Sequence, residues 1–523
     1  MNVKYLIDRA VREYPNKTAV VYKDVRRTFR ELDSRVNALA NGLLTLGIKG
    51  GDRVGMLLRN CCEFIEIDLA LSKTGIVRVP LNARLTGNDH EYMLNDSEAD
   101  TLIFGEGFTE VVQTIRPNLK SVRRFIRVSE GLSKANVLEA LDYEGLIEKN
   151  SLEEPFSEIE EGDLHTLFYT SGTTGKPKGA MLTQKSWANV AINLILDYGP
   201  VSEEDVILNT QPLSHGAGFF VLPYFIRGAT NVLIPEFKPA ILFETIEREK
   251  VTVLKLVPSM LYQLIDAPEK TRYDLSSLHS IIYGGSPIAV PRLIEAIQFF
   301  GKKLVQLYGQ AEAPMCISTL AKRDHIVEGA EEAVKRLSSA GKPCVNVEVR
   351  IVDENGKDLN PGEVGEVIVR GYHLMEGYWK LPEATAEVLR EGWVYTGDLG
   401  YFDPEGFIFL IDRKRDVIIS GAFNIYPKEI EDVIVTHPKV KEVAVIGVPD
   451  EKWGEAVKAV IVSKEGVEVK EEEIIDHCRH HLAGFKKPKT VDFVKELPRN
   501  PYGKIQKTVL REPYWKGFDR RIH

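Results

Sequence analysis

The sequence predicts an α/β protein: a large N-terminal domain of stacked α/β layers carrying a small β-barrel, followed by a mixed α/β C-terminal domain. Three observations predict it. Up to about residue 340, short apolar runs such as "RVGMLL", "ADTLIFG", "VTVLKLVP", "HSIIYGG" and "KLVQLYG" alternate with amphipathic stretches such as "RELDSRVNALANGLLTLG". That alternation is the pattern of parallel sheets covered by helices. From about 341 the texture changes to the period-2 run "VNVEVRIVDENGKDLNPGEVGEVIVRG", broken at "ENG" and "NPGE", which reads as antiparallel hairpins of a small barrel or sheet. After the charged stretch "DRKRD" at 412–416 a separate pattern begins: helix "YPKEIEDVIVTH", strands "VKEVAVIGV" and "EAVKAVIVS", helix "EEEIIDHCRHHLA". The expected boundaries are therefore 1–411, with barrel-like strands over 341–411, and 412–523.

The 523 residues suffice for several structural units around a large core. With 44% hydrophobic and 27% charged residues the chain reads as an ordinary globular protein. Its formal charge of −9 argues against a general nucleic-acid binder, which carries a basic surplus. Five cysteines show neither metal-ligand spacing nor disulfide density. The start "MNVKYLIDRAVREYPNK" lacks a signal-peptide core, and runs such as "FFVLPYFI" are too short to span a bilayer. The expectation is a cytoplasmic chain with no integral membrane segment, which leaves room for a homo-oligomer. His477 and His481, four apart on a helix, have no partner at zincin spacing and read as a solvated face.

One loop stands apart. "YTSGTTGKPKG" (169–179) gathers hydroxyls, glycines and lysines with almost no apolar content. Such a loop holds a polyphosphate or is a plain linker. Its flanks favour the first: "LHTLFYT" reads as a buried strand, and "GAMLTQKSWANVAINLILDYG" has helical spacing, so the expected order is strand, loop, helix. It is not a Walker A loop. Only Thr173 and Thr174 separate Gly172 from Gly175, and Pro177 follows Lys176 where a magnesium-binding hydroxyl belongs.

Further islands follow in order: "PLSHGAG" (212–218), "YGGSP" (283–287), "YGQAE" (308–312), "YTGD" (395–398), "DRKRDVIISGAFNIYPKEIE" (412–431) and "PRNPYGKI" (498–505). With the opening loop they make the chain resemble, over essentially its whole length, the adenylate-forming superfamily of acyl- and aryl-coenzyme A ligases, luciferases and peptide-synthetase adenylation domains. The resemblance implies that Thr170, Ser171, Gly172, Thr173, Thr174, Gly175 and Lys178 close over the ATP phosphates, and that Glu312 holds Mg²⁺ with Thr170 as its companion. It implies that Gly284, Gly285 and Ser286 lie along adenine, Tyr308 stacks on it, and Gly309, Gln310 and Ala311 border the nucleotide. Ala311 departs from the pattern, which usually has threonine there. Asp398 would accept the ribose hydroxyls, helped by Arg413.

The resemblance makes Lys504 the catalytic cation of adenylation, on a mobile C-terminal domain that turns about a hinge near 413–415, Arg415 included. After rotation Gly421 would line a tunnel for coenzyme A, with Lys486, Lys487 and Lys489 near its phosphates. His215 would sit where acid pocket and thiol tunnel meet, catalytic together with Lys504 and Glu312. Small residues 216–218 and Gly309 imply an open pocket, and no acid lies between 211 and 222 to pair a substrate ammonium. The implied function is an ATP-dependent acyl-coenzyme A ligase for a medium- or long-chain fatty acid, or an aryl or cyclic acid, with texture leaning to the fatty side. The alternatives are an adenylating enzyme that loads a separate carrier protein, and a non-catalytic nucleotide-binding scaffold.

Overall fold

The computed structural model describes residues 2–129, 139–170, 176–421, 423–499 and 505–516. Lys504 and residues 171–175 lie outside them. The described chain divides into two compact units, one of Met1–Thr170, Pro177–Val349 and Val369–Val394, the other built mainly from Arg350–Ile368 and the residues from Tyr395 onward.

The first unit is built on two doubly covered sheets. One is seven-stranded, in the order Leu141–Asp142, Arg124–Val128, Thr101–Gly105, Arg53–Leu57, Val77–Pro80, β1 (Leu164–Tyr169) and β2 (Gly179–Thr183). All of its pairs are parallel except β1 with β2. The other is nine-stranded. Its parallel centre comprises β3 (Val206–Asn209), β4 (Thr230–Leu233), β5 (Val253–Leu256), β6 (Ser280–Gly284) and β7 (Leu304–Tyr308), in the spatial order β7-β6-β5-β3-β4.

Successive residues along these strands serve different cores, because side chains alternate across a sheet. Val253, Ile282 and Val305 join a cluster shared with Met56, Ile103 and Phe168 of the seven-stranded sheet and with Phe29, Trp187 and Phe219 of helices. Leu254, Ile281 and Leu304 face a second cluster with Leu242, Phe243 and Leu261. Both faces are buried, which is why these strands read as continuous apolar runs. The stacked α/β layers are thus as expected.

The expected strand–loop–helix order around the hydroxyl-rich loop needs correction. Gly179–Thr183 is not the start of a helix but β2, running antiparallel to β1 with Tyr169 opposite Gly179. A Cβ at Gly179 would stand 3.2 Å from the Tyr169 ring, so the hairpin needs glycine there. Helix α1 (Gln184–Asp197) starts only afterwards, its first turn capped by Thr183, whose hydroxyl accepts from Ser186 N–H.

Residues 347–413 contribute a five-stranded sheet ordered Val347–Val352, Gly365–Gly371, β8 (Trp393–Phe402) and Leu389–Arg390, with β9 (Ile408–Arg413) antiparallel on β8. The "ENG" segment makes the predicted turn, Gly356 N–H donating to Asp353 O at 3.0 Å. The rest of the second unit packs Gly454–Ser463 and Val440–Asp450 against α2 (Pro427–Ile434) and Glu471–His481 on one face. The other face takes Leu510 and Tyr514 of α3 (Lys507–Trp515). His477 is engaged locally, its Nε2 donating to Val433 O at 3.1 Å and lying 3.0 Å from Thr436 Oγ1. No helix among the described residues is long and apolar enough to cross a membrane.

Two ion pairs pin α3: Arg511 to Asp416 at 2.6 Å and Lys507 to Glu431 at 2.7 Å. Burial alone would raise the Asp416 pKa, but Arg511, Lys507 and Arg415 draw it below the ordinary value. Its contribution to stability is therefore present above the ordinary carboxylate range and lost as pH falls through that lowered pKa. Arg511→Met leaves Asp416 buried without this partner and is expected to destabilise the unit by about 3–5 kcal/mol. Thermal unfolding followed by near-UV circular dichroism checks it, and an unchanged midpoint would show the pair to be idle.

Candidate functional site

The chain order of the nine-stranded sheet creates a crevice. From β3 the connection runs to β4 on one side, and from β4 it returns to β5 on the other side of β3. Diverging connections open a cleft at the carboxyl ends of such strands. The loops leaving those ends carry three of the sequence islands: "PLSHGAG" after β3, "YGGSP" after β6 and "YGQAE" after β7.

Backbone proximity explains the glycines. A Cβ at Gly284 would lie 2.3 Å from Leu307 O, its partner across β6 and β7. Gly285 has φ +88° and, with Ser286, is exposed, leaving a backbone edge accessible beyond the strand. Tyr308 ends β7 half-buried, its carbonyl accepting from Ile317 N–H at 2.9 Å. Gln310 N–H donates to Ala313 O, closing a turn that presents Ala311 and Glu312. Gly309 does not leave open space as expected. The position of its absent side chain is filled by the Met315 backbone, with N at 2.5 Å.

Glu312 belongs to a cluster that the sequence did not reveal. Tyr378 Oη donates to Glu312 Oε1 at 2.6 Å, and Lys178 Nζ sits 4.9 Å from the centre of the same ring. The segment around Tyr378 lies along β2: Met181 N–H donates to Gly377 O, Trp379 N–H to Gly179 O, and Met375 N–H to Glu312 O. It therefore ties the hydroxyl-rich hairpin to the Glu312 loop. Burial, and then the Glu312 charge, push the Tyr378 pKa up, so its phenol remains a neutral donor. At the hairpin base Thr170 N–H donates to Lys178 O at 2.9 Å.

These groups fit a magnesium ion that arrives with phosphates. Mg²⁺ takes one or two carboxylates and completes its shell with phosphate oxygens and water. Half-buried Glu312 spends Oε1 on Tyr378, leaving Oε2 for a cation, and Thr170, at the base of the hairpin, is the candidate hydroxyl. Among the described residues no cluster of three or more His, Cys, Asp or Glu could hold an ion by itself.

The loop after β3 is held by Asn60, which donates to Gln211 O and accepts from Leu213 N–H, each at 2.9 Å. His215 is half-buried and stacks on Phe168 of β1, with ring centres 5.3 Å apart. Phe168 meets Phe219 edge-on at 5.1 Å, and Phe219 meets Trp187 at 4.5 Å. His215 thus ends an aromatic wall formed with Phe168, Phe219 and Trp187, three residues to which the sequence assigned no role. Beside it Lys255 of β5 donates to Gln211 Oε1 at 2.7 Å.

In the second unit Asp398 of β8 and Arg413 of β9 are cross-strand neighbours, joined by an Arg413 Nε–Asp398 Oδ1 ion pair of 2.7 Å. The structure therefore unites two residues that are 15 apart in sequence. Asp412 caps α2, accepting from Lys428 N–H at 2.8 Å. Burial, then Arg413, lower the Arg415 pKa. Gly421 has φ +62°, and the position of its absent side chain is covered by Trp453, 2.9 Å away, instead of being left open. Lys486 is paired with Glu429, and Lys489 with Asp450. Ile505, next to Lys504, bridges Arg499 in antiparallel fashion.

The chain is similar to known proteins over nearly its whole length. Residues 7–379 match the AMP-binding enzyme family, and residues 429–504 match the AMP-binding enzyme C-terminal domain. The chain is 36% identical to the medium/long-chain-fatty-acid–CoA ligase FadD8 of Mycobacterium tuberculosis, over 99% of this chain and 91% of that protein. It is 38% identical to a feruloyl-CoA synthase of Amycolatopsis, over 97% and 98%. Among solved structures, the amide bond synthetase McbA from Marinactinospora thermotolerans superimposes with a TM-score of 0.87 at 31% identity, over 98% of this chain and all of that one.

Proposed function

The chain belongs to the AMP-binding enzyme family and is an AMP-forming acid–thiol ligase, and we propose that its acid is a medium- or long-chain fatty acid or an aryl or cyclic acid. Relatives named for a fatty acid and for ferulate support an acyl- or aryl-CoA ligase with ATP and coenzyme A as co-substrates. An acid carboxylate oxygen attacks the α-phosphorus of ATP, and the bond to the departing pyrophosphate breaks. The sulfur of coenzyme A then attacks the acyl carbon, and AMP leaves.

The residue roles in this reading are those the family pattern implies. Glu312 and Thr170 would hold Mg²⁺, which when bound supplies positive charge against the phosphate oxygens. Lys178 and residues 170–175 hold the outer phosphates. The backbone of Gly284, Gly285 and Ser286 and the ring of Tyr308 receive adenine, bordered by Gly309, Gln310 and Ala311. Asp398 accepts the ribose hydroxyls, its carboxylate oriented by Arg413. His215 closes the acid site against Phe168. Lys504 stabilises the charge that develops during adenylation. The domain boundary lies near Asp412, with residues 413–415 as the hinge and Gly421 on the thiol side.

The observation that carries this assignment is the Glu312–Tyr378–Lys178 cluster: a carboxylate and an ammonium held on one phenol. Pyrophosphate release measured over octanoate, palmitate, benzoate, ferulate and cyclohexanecarboxylate, with and without coenzyme A, tests it. Thioester formation with at least one acid is expected. Pyrophosphate release without thioester would move the acceptor to a carrier thiol or an amine, and no release with any acid would leave a nucleotide-binding scaffold.

A further inference from the structure

The last two residues of β1 are buried and belong to opposite faces of the sheet. Phe168 stands on the side of the His215 wall. Tyr169 stands on the other, in a cluster with Met93, Leu94 and Leu102, and is 3% exposed. A phenol placed there needs a partner for its hydroxyl, because a buried donor left unpaired is costly. The partner is Asp96, the last residue of helix Gly87–Asp96: Tyr169 Oη donates to Asp96 Oδ2 at 2.6 Å. Burial, and then this hydrogen bond, push the Tyr169 pKa up, so the phenol stays a donor to the carboxylate, the stronger kind of hydrogen bond.

Asp96 reaches the same hairpin a second time. Its main-chain carbonyl accepts from Trp379 Nε1 at 3.1 Å, and Trp379 N–H donates to Gly179 O at 2.8 Å. Gly179 is the cross-strand partner of Tyr169, whose ring abuts the place of the missing side chain. One helix end therefore holds both members of the last residue pair of this hairpin, one through a side chain and the other through the segment that carries Tyr378. Lys380, next along that segment, pairs with Glu98, two residues beyond Asp96, at 2.5 Å. Beside the Tyr169–Gly179 pair stand Thr170 and Lys178, joined by the Thr170 N–H to Lys178 O hydrogen bond.

We propose that Asp96 is a positioning residue of adenylation: acting through Tyr169, and from its main chain through Trp379, it fixes the base of the hydroxyl-rich hairpin to the segment whose Tyr378 holds Glu312. Asp96 touches no substrate in this role. It keeps the Thr170 hydroxyl and the Lys178 ammonium in register with the Glu312 carboxylate, and groups that must act together on one substrate lose efficiency when one of them shifts by about 1 Å. This rests on the proposed ligase function, in which Thr170 and Lys178 meet the ATP phosphates. Transfer of the acyl group to the thiol makes no use of the outer phosphates, so the two half-reactions respond differently to the loss of Asp96.

The test measures ATP–pyrophosphate exchange and, separately, single-turnover thioester formation from premade acyl-adenylate, in the full chain with an acid that the wild type activates. Asp96→Ala is expected to raise the ATP KM at least about fivefold in exchange, with transfer from the adenylate within about threefold. Asp96→Asn, whose amide oxygen still accepts from the phenol, should recover most of the loss. Tyr169→Phe should match Asp96→Ala, and the double variant should be no worse than either single one, the mark of two residues acting as a unit. A smaller rise in ATP KM, an equal loss in both half-reactions, or single losses that multiply in the double variant would each overturn the inference while leaving the ligase function intact. No exchange by the wild type with any acid would overturn both. If Asp96→Ala fails to fold, Tyr169→Phe, which keeps the ring packed, decides: an unchanged ATP KM there would overturn the inference.

Discussion

Lys504→Ala is expected to slow adenylation by about 10²–10³-fold, the range found when one preorganised electrostatic donor is removed from a transition state. Thioester formation from a premade acyl-adenylate should stay within a few-fold. The asymmetry follows from chemistry: negative charge grows on the phosphate in the first half-reaction, whereas thiol attack on the acyl carbon leaves the phosphate as a departing group. The described residues that follow it are held in the C-terminal unit. Ile505 bridges Arg499, and α3, which begins at Lys507, is tied to Glu431 and Asp416. Pyrophosphate exchange and single-turnover transfer from synthetic acyl-adenylate separate the two steps. Equal loss in both would remove Lys504 from the adenylation role and make it a structural element of the C-terminal unit.

The layers of the fold were legible because strands buried on both faces are written as unbroken apolar runs, and the helices between them as amphipathic ones. What stayed hidden depended on partners distant in sequence. Gly179–Thr183 is five residues long and sits directly before a helix, so its helical spacing merged with that of α1; only pairing with β1 makes it a strand. Tyr378 lies in the apolar-looking "MEGYWK", 66 residues from Glu312, and its role appears once that segment lies along β2. Asp398 and Arg413 were assigned to one sugar by resemblance, and the β8–β9 register brings the two into an ion pair. Gly309 was misread for the opposite reason. A missing side chain suggests space, yet here the main chain at Met315 occupies it.

Glu312→Gln is the second large effect expected. The substitution keeps the shape and an amide oxygen to accept from Tyr378, so packing is preserved and the loss is that of one negative charge. A carboxylate is what a hard dication requires from the protein when phosphates and water provide the remaining ligands. Adenylation should fall by about 10²–10³-fold, the scale of a removed transition-state charge contact. The magnesium concentration giving half-maximal rate should rise in parallel. Tyr378→Phe separates charge from orientation: it leaves the carboxylate and removes the 2.6 Å hydrogen bond that fixes Oε1. Its loss should be about tenfold, with the magnesium dependence moved less than in Glu312→Gln. Titrating magnesium against rate for both variants decides the matter. If Glu312→Gln lowers the rate with its magnesium dependence unchanged, the carboxylate holds the Tyr378 segment in place instead of the ion, and the cation site must be sought on other residues.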